Sequence, residues 1–250
     1  MAQPSARVLV LTPVKDASRF LDGYFALLAS LDHPPELLSL GMLESDSRDG
    51  TFAAVEAGVA ALAGRWRRAR CWKRDFGYLI PPGVARHEGS IQYLRRSVLA
   101  RSRNHLLFRA LDDEDWVLWI DVDVVEYPSD IIGRLLAFRR SILTPNCVIQ
   151  YGGPSFDRNA WRGPDERHLS DLRGEGELVE LDTVGGTMLL IRADLHRDGL
   201  VFPPFAYGRA HPAARSHSRE IETEGLGLMA QDMGHRCWGL PNLEIRHFPH

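Results

Sequence analysis

Two aspartates follow an apolar segment that is typical of a buried strand. The segment Trp116–Ile120 is hydrophobic, and Asp121 and Asp123 come directly after it. If the strand continues through both residues, their side chains point the same way, because strand side chains alternate between faces. Ligands of open α/β sheets bind at the carboxyl ends of the strands. A divalent cation, Mg²⁺ or Mn²⁺, would relieve the repulsion between the carboxylates and bridge them to a diphosphate; the alternative is a pair of solvated acids.

A histidine near the end of the chain is a candidate third ligand. His247 follows the last predicted strand. If that strand returns to the sheet beside Asp123, the imidazole would complete the coordination shell of the cation. A nitrogen ligand favours Mn²⁺ over Mg²⁺, which prefers oxygen. The simpler interpretation is a histidine that makes a structural hydrogen bond.

Two glutamates and an arginine complete the set of residues with possible chemistry. Glu222 and Glu224 begin a predicted helix, where the helix dipole by itself favours acidic residues. Two residues apart on a helix, they point in nearly opposite directions, so we expect at most one in a cleft. A carboxylate there would orient a hydroxyl or act as a general acid or base. Arg103 lies in another helical segment and either reaches a phosphate or belongs to a basic surface.

The elements that position these residues alternate along the chain. Val8–Leu11 and Leu37–Leu43 are predicted strands, and each precedes a segment with helical periodicity, the second over Phe52–Ala63. Further helices are predicted over Ser97–Leu111 and Ile221–Met233. This order predicts an α/β fold whose central sheet is mostly parallel and flanked by helices.

Composition and missing motifs exclude several classes of protein. The 250 residues are 44% hydrophobic and 25% charged, as in ordinary globular domains, and their net charge of −3 gives no basic field for nucleic acid. The basic cluster from Arg65 to Arg74 and the acidic run Asp112–Asp115 are interpreted as solvated surface. There is no G-x-G-x-x-G fingerprint of a Rossmann dehydrogenase after the first strand and no G-x-S-x-G elbow of an α/β-hydrolase.

The cysteines and the apolar runs bear on the cellular location. Cys71, Cys147 and Cys237 are far apart and odd in number, so they form no disulfide framework and no zinc pair. We expect reduced thiols in a cytoplasmic protein. The first residues show no signal peptide, and no apolar run is long enough to span a membrane.

Nine short blocks stand in order along nearly the whole chain. They are Leu11–Asp16, Glu44–Thr51, Ala100–Asn104, Trp116–Asp123, Val184–Thr187, Asp194–Gly199, Phe202–Phe205, Ile221–Gly225 and Gly239–Asn242. Their order and spacing resemble the fungal mannan-polymerase subunit family of α-mannosyltransferases, which have a GT-A fold. The resemblance implies a single GT-A-like domain over residues 1–250, with a nucleotide-binding half at 1–125 and an acceptor-binding half at 126–250.

The resemblance also implies an activity and a site. The activity is metal-dependent, retaining transfer of mannose from GDP-mannose to a sugar hydroxyl, with Mn²⁺ or Mg²⁺ as cofactor. The residues expected at the nucleotide are Thr12, Pro13, Val14, Glu44, Asp46, Arg103 and Asp121. Those expected at the metal are Asp121, Asp123 and His247. Those expected in catalysis, beside the sugar and the acceptor, are Glu222, Glu224 and Asp121.

Departures from the family leave some questions open. The fungal relatives carry an N-terminal membrane anchor that this chain does not show, so their location in the secretory pathway does not carry over. The segment 206–219 is longer than the usual link between its two flanking blocks, which leaves the acceptor open. The alternatives are a transferase for another nucleotide sugar, a nucleotidyltransferase, or a non-catalytic subunit that binds a glycan. A homo-oligomer or a partner transferase is compatible with each of them.

Overall fold

A computed structural model describes residues 6–81, 83–84, 88–208 and 220–249 of the chain. Most of the long link at 206–219 therefore lies outside the described residues. The strands are β1 Val8–Val14, β2 Leu38–Glu44, β3 Arg68–Lys73, β4 Trp116–Ile120, β5 Val124–Glu126, β6 Ile142–Val148, β7 Trp161–Arg162, β8 Arg167–His168, β9 Val179–Leu181, β10 Met188–Arg192 and β11 Cys237–His247. The helices are α1 Ser18–Ala29, α2 Thr51–Leu62, α3 Gly89–Ala110, α4 Ile131–Ala137, α5 Ala193–Arg197 and α6 Thr223–Asp232, with 3₁₀ turns at Pro35–Leu37 and Leu169–Glu175.

A mixed sheet forms the centre of the molecule. Within the described residues it has nine strands in the order β3-β2-β1-β4-β10-β6-β11-β5, with β9 paired to β11. The pairings of β3, β2, β1 and β4 are parallel, and β6 pairs parallel with β11. Strand β10 runs against β4 and β6, while β5 and β9 run against β11. Six strands thus run in one direction and three in the other, which confirms the predicted α/β class with a mostly parallel sheet.

Two hydrophobic cores lie on the two faces of this sheet. Val8 and Val10 of β1 belong to the core that α1, α2 and α4 cover. Leu9 and Leu11 belong to the opposite core, with Leu106 of α3. A strand whose two faces are both covered by packed elements must be apolar on both faces. This explains why the hydrophobic pattern of β1 is continuous rather than alternating.

The mostly apolar segments Cys237–Trp238 and Leu243–Ile245 predict two short strands, but the chain forms one long strand, β11, in their place. Strand β11 shifts register between Leu240 and Glu244, so the irregularity that suggested a break is a bulge within a continuous strand. Its last residue, His247, pairs with Val124 of β5. The final strand therefore returns to the sheet beside Asp123, which the sequence left open. Helix α3 is also longer than predicted, because it begins at Gly89 rather than Ser97.

The prediction that the acidic run Asp112–Asp115 and the basic cluster are solvated holds for most of their charged residues but is wrong for Glu114. The side chain of Glu114 is completely buried and forms ion pairs with Arg68 and, at 3.4 Å, with Arg67. Asp113 binds Arg67 at 2.8 Å and Arg7 at 2.6 Å. The sheet brings the amino ends of β1, β3 and β4 together, and a buried carboxylate there requires paired cations. These arginines therefore form ion pairs at an edge of the sheet rather than contacts with a nucleic acid.

Two further observations concern the cysteines and the helices. Cys147 and Cys237 are buried and Cys71 is half-buried, all three as free thiols. None of the helices in the described part of the chain has the length and hydropathy needed to cross a bilayer.

Candidate active site

The two aspartates lie in a turn and not on a strand. Strand β4 ends at Ile120, and the turn that follows is closed by a hydrogen bond from Val124 N to Asp121 O at 3.2 Å. The expectation that strand alternation aligns Asp121 and Asp123 was therefore wrong. The side chains still meet in one place, because both line the same cavity. The turn joins β4 to β5, and so it places the aspartates beside the end of β11.

This cavity of about 400 Å³ opens at the carboxyl end of the parallel strands. Its walls come from the loops after β1, β2 and β3, from the middle of α3, and from the turn with the aspartates. The lining residues include Pro13, Val14, Lys15, Arg19, Ser45, Tyr78, Ile80, Arg95, Ser102, Asp121 and Asp123. The position agrees with the rule that open α/β sheets bind ligands at this edge, and its size is that of a small-molecule site.

His247 and Asp123 form a buried ion pair at the wall of this cavity. His247 Nε2 is 3.1 Å from Asp123 Oδ1, and both side chains are more than nine-tenths buried. His247 Nδ1 donates to Phe248 O at 2.7 Å, while the ring of Phe156 stacks on the imidazole with centroids 4.0 Å apart. Burial by itself lowers the pKa of His247, but the hydrogen bond and charge of Asp123 outweigh it and raise that pKa above its usual value.

Asp121 is the more accessible of the two aspartates. Its side chain is 32% exposed, towards the cavity, and Oδ1 accepts a hydrogen bond from Arg103 Nη2 at 3.1 Å. Removal from bulk water raises the pKa of Asp121 to about 6; the charge of Arg103 opposes this shift and that of Asp123 adds to it. Burial is therefore the largest cause of the raised pKa of Asp121, and the charge of Arg103 offsets only part of it.

The donor atoms here fit a divalent cation. Two carboxylates and one imidazole nitrogen are an acceptable set for Mn²⁺. The Nδ1 hydrogen bond of His247 fixes the ring as it is commonly fixed in metal-binding histidines, with Nε2 facing Asp123. In the described residues, no three such groups are already gathered around a common point. Since Asp121 is held by Arg103, its carboxylate would have to turn from that arginine to complete the set.

The glutamates at the start of α6 are buried in an arginine network. Glu222 Oε1 is 2.9 Å from Arg103 Nε, and Glu224 Oε2 accepts a hydrogen bond from Arg96 Nη1 at 2.7 Å. Glu224 also accepts from Trp161 Nε1 at 2.9 Å. Because Glu222 precedes the helix and has a φ of 61°, the expectation of opposite directions fails: Arg96 lies within 4 Å of both carboxylates. Among the described residues that line the cavity, neither glutamate occurs.

Three residues predicted at the nucleotide support the cavity from behind. Thr12 Oγ1 donates to Ile120 O at 2.8 Å, which ties β1 to β4. Glu44 Oε1 accepts from Ser47 N at 2.8 Å. Asp46 accepts from the amides of Phe76 and Gly77, both at 2.9 Å, and so fixes the loop that carries Tyr78 and Ile80 into the cavity. Pro13 and Val14 line the cavity themselves.

Two of the cations that line the cavity, Lys15 and Arg19, were not among the predicted site residues. Arg95 belongs to the cluster Arg95, Arg96, Arg101 and Arg103, from which the sequence predicts that one arginine reaches a phosphate or that all lie on a basic surface. Lys15, Arg19 and Arg95 all contribute to its walls. The guanidinium of Arg19 lies over the rings of Phe20 and Phe248 at 4.5 and 5.2 Å. A signal was present, because Lys15 and Arg19 follow β1 directly and loops after the first strand of such sheets commonly contact the ligand.

Comparison with known proteins decides the family. The model of the Anp1 family matches residues 1–173 and 166–206, which is more than half of the chain. The chain belongs to the Anp1 family. The Mannan polymerase complex subunit mnn9 of Schizosaccharomyces pombe is 32% identical to this Anp1-family chain, over 96% of the chain and 79% of that protein. The Mannan polymerase II complex ANP1 subunit of Saccharomyces cerevisiae is 28% identical, over 98% of the chain and 55% of that protein.

Solved structures share the fold of this Anp1-family chain. The mannosyltransferase PcManGT from Pyrobaculum calidifontis, in complex with GDP-Man and Mn²⁺, has a TM-score of 0.58 at 16% identity, over 98% of this chain and 58% of that one. TarS of S. aureus in complex with UDP-GlcNAc has a TM-score of 0.59 at 15% identity, over 98% of this chain and 59% of that one. Both are GT-A glycosyltransferases, so the GT-A fold and the family resemblance predicted from the nine blocks are confirmed.

Proposed function

We propose that this chain is a metal-dependent, retaining glycosyltransferase that moves mannose from GDP-mannose to a sugar hydroxyl. The observation that carries the proposal is the placement of Asp121 and Asp123 at one cavity of a GT-A fold, with His247 paired to Asp123 behind them. Two further facts support the donor. Relatives in the family are named as mannan polymerase subunits, and a similar structure holds GDP-Man with Mn²⁺.

Different residues of the cavity would bind different parts of the donor. Pro13 and Val14 would contact the nucleoside, in a loop that Asp46 and Glu44 hold in place from behind. Asp121, Asp123 and His247 would hold the cation, which when bound stabilises the charge that develops on the departing diphosphate. Lys15 and Arg19 face the same space and would bind the diphosphate oxygens directly. Arg103 would act on the diphosphate through Asp121, because it is buried behind that carboxylate.

A retaining outcome is chemically possible at this site by two routes. Attack on the same face of the sugar, assisted by the leaving diphosphate, needs no protein nucleophile. A covalent route requires a carboxylate beside the anomeric carbon. Of the three carboxylates predicted in catalysis, Asp121 opens into the cavity, whereas Glu222 and Glu224 are buried in contact with arginines. Asp121 is thus the candidate for a direct role, and the glutamates are candidates for an indirect one.

Nucleotide binding tests the donor assignment. Thermal unfolding is measured with GDP, UDP and CDP, each with and without Mn²⁺, because a ligand that binds the folded state raises the melting temperature. We expect the largest rise with GDP and Mn²⁺ together. An equal response to all three nucleotides would contradict the choice of donor, and no response to any of them would contradict the transferase assignment.

Turnover then separates an enzyme from a binding subunit. Release of mannose or its transfer to mannose acceptors is followed for the wild type and for Asp123→Asn. We expect Mn²⁺-dependent turnover in the wild type alone. Tight, Mn²⁺-dependent binding of GDP without turnover would instead favour a non-catalytic subunit that works with a partner transferase, which the complexes named for the relatives make a reasonable alternative.

A further inference from the structure

We infer that Glu222 is a positioning residue, which holds Arg103 between two carboxylates and thereby keeps Asp121 available to a divalent cation. The inference rests on the proposed function, since it concerns the cation of the same site. Glu222 itself is 2% exposed and is absent from the described lining of the cavity, so it acts through Arg103 rather than on a ligand.

The backbone of Glu222 adopts a conformation that side chains rarely favour. Its φ is 61° and its ψ is −120°, directly before the first residue of α6. Such outliers persist where the surrounding structure fixes them, and they concentrate at functional sites. Here the backbone is fixed on both sides: Glu222 N donates to Pro203 O, and Glu222 O accepts from Leu226 N, both at 2.9 Å. The result is a carboxylate outside the helix that reaches Arg103.

The guanidinium of Arg103 is shared by two carboxylates. Its Nε lies 2.9 Å from Glu222 Oε1, and its Nη2 donates to Asp121 Oδ1 at 3.1 Å. The same Nη2 is 3.2 Å from Gly186 O. The second oxygen of Glu222 accepts from Thr223 Oγ1 at 2.8 Å, which keeps the carboxylate in place. Arg103 therefore lies between two carboxylates, and Arg96 Nη2, at 3.9 Å, is a second and more distant cation beside Glu222.

Arg103 has no room to take another position. The rings of Trp119 and Phe202 each lie 5.3 Å from its Cζ atom. A Cβ atom at Gly186 would come within 2.7 Å of Nη2, so the backbone approaches the guanidinium as closely as a glycine allows. Since the arginine cannot move, the charge of Glu222 decides how strongly Arg103 attracts Asp121. Without that charge the Arg103–Asp121 pair tightens, and Asp121 turns less readily to a cation.

Glu224 differs in its connections. It binds Arg96 and Trp161, and Arg96 also lies 3.9 Å from Glu222. Glu222 contacts Arg103 directly and is therefore the glutamate placed to act on that arginine, although both glutamates are buried at the start of the same helix.

Direct measurement of Mn²⁺ binding, without nucleotide, tests the inference on the full chain. Electron paramagnetic resonance of free Mn²⁺ gives the affinity of the wild type and of Glu222→Gln. Removal of a residue that supports a metal ligand typically weakens binding roughly 10–100-fold, and we expect a loss in this range. Glu222→Asp keeps the charge and should recover part of the affinity. Equal affinity of Glu222→Gln and wild type would overturn the inference and leave the proposed function intact.

A matched control separates positioning from a structural role. Glu114 is also a buried carboxylate paired with arginines, but it lies before β4, at the other end of the strand from Asp121. Glu114→Gln should lower the melting temperature without changing Mn²⁺ affinity; an equal loss of affinity in both variants would overturn the inference. If Glu222→Gln does not fold, Thr223→Val removes the hydroxyl that Glu222 accepts from, and unchanged Mn²⁺ affinity in that variant would also overturn it. A wild type that binds no Mn²⁺ overturns the proposed metal site together with the inference.

Discussion

Two pairs of carboxylates in this protein have the same spacing in the sequence and opposite surroundings in the fold. Asp121 and Asp123 lie in a turn at the wall of a cavity, with one arginine and one histidine beside them. Glu222 and Glu224 lie at the start of a helix, where Arg103 and Arg96 contact them. One carboxylate of the first pair opens into a cavity, whereas both carboxylates of the second pair are buried against arginines from α3.

The difference shows that the surroundings of two acids, rather than their spacing in the sequence, decide their role. A carboxylate that opens into a cavity can bind a cation from solution, whereas a carboxylate buried against arginines stabilises the fold. Arg103 connects the two pairs, because it contacts Asp121 with Nη2 and Glu222 with Nε. Variants at each pair should therefore separate activity from stability, and a variant at Arg103 should affect both.

The largest effect is expected at the cavity. Asp123→Asn should reduce mannose transfer by at least about 1,000-fold, equivalent to about 4 kcal/mol, because the cation loses a charged ligand. Mn²⁺ calorimetry and the rate of transfer measure the change, with the exposed Asp130→Asn as the control. If the variant unfolds instead of losing Mn²⁺ binding, the proposed difference between the two pairs is contradicted, because Asp123 would then stabilise the fold as the glutamates do.

The next effect concerns the residue that joins the two pairs. Arg103→Met should lower the free energy of unfolding by about 3–5 kcal/mol, because it leaves Asp121 and Glu222 without their shared cation. Urea denaturation measures this change. Arg101→Met, at an exposed position of the same helix, should stay within about 0.5 kcal/mol of the wild type. Equal stability of the two variants would mean that Arg103 does not hold the buried pair.

Acid should lower the free energy of unfolding through His196, which lies in the apolar surroundings of Arg103. Burial lowers the pKa of His196 to about 4, and its ring packs against Trp119 and Phe202, which flank Arg103. Because the unfolded histidine binds its proton near pH 6.5, stability is complete above that pH and falls as the pH drops towards 4. The loss reaches about 3 kcal/mol. Denaturation curves of wild type and His196→Gln between pH 7 and 4 measure it, and the same acid loss in both proteins would contradict the assignment to His196.

The smallest effect is expected at the second glutamate. Glu224→Gln still accepts from Trp161, but the side chain no longer neutralises Arg96. We expect a loss of about 1–3 kcal/mol in the free energy of unfolding. The exposed pair of Asp194 with Arg192 offers the counterpart, since Asp194→Asn should cost at most about 1 kcal/mol. Similar values for the two variants would show that burial does not distinguish Glu224 from a surface carboxylate.

Features that depend on local patterns were predictable from the sequence. The apolar runs Val8–Leu11 and Trp116–Ile120 predict β1 and β4, because strands buried on both faces have no polar alternation. The position of the aspartates after a strand follows from the second of these runs. The sequence left the return of the last strand beside Asp123 open, and the structure shows it. The order of the nine blocks predicts the family and its fold, which the comparisons confirm.

Features that depend on contacts between distant residues were not predictable. The burial of Glu114 requires Arg67 and Arg68 from another strand, and an isolated acidic run gives no sign of them. Nothing in the sequence predicts the positive φ of Glu222, because glutamate rarely adopts this conformation. For the same reason helical geometry misplaced the two glutamates relative to each other. Lys15 and Arg19 were overlooked although they follow β1, whereas the approach of Arg95 from α3 to the same cavity depends on the fold.

The position of His247 at the end of β11 has a consequence for the order of events during folding. Its contact with Asp123 closes a loop of more than a hundred residues, and such closures come late because their entropic cost must be met first. The pairings of β1 with β2 and of β2 with β3 close shorter loops. We therefore expect the walls that these strands carry to form before His247 reaches Asp123.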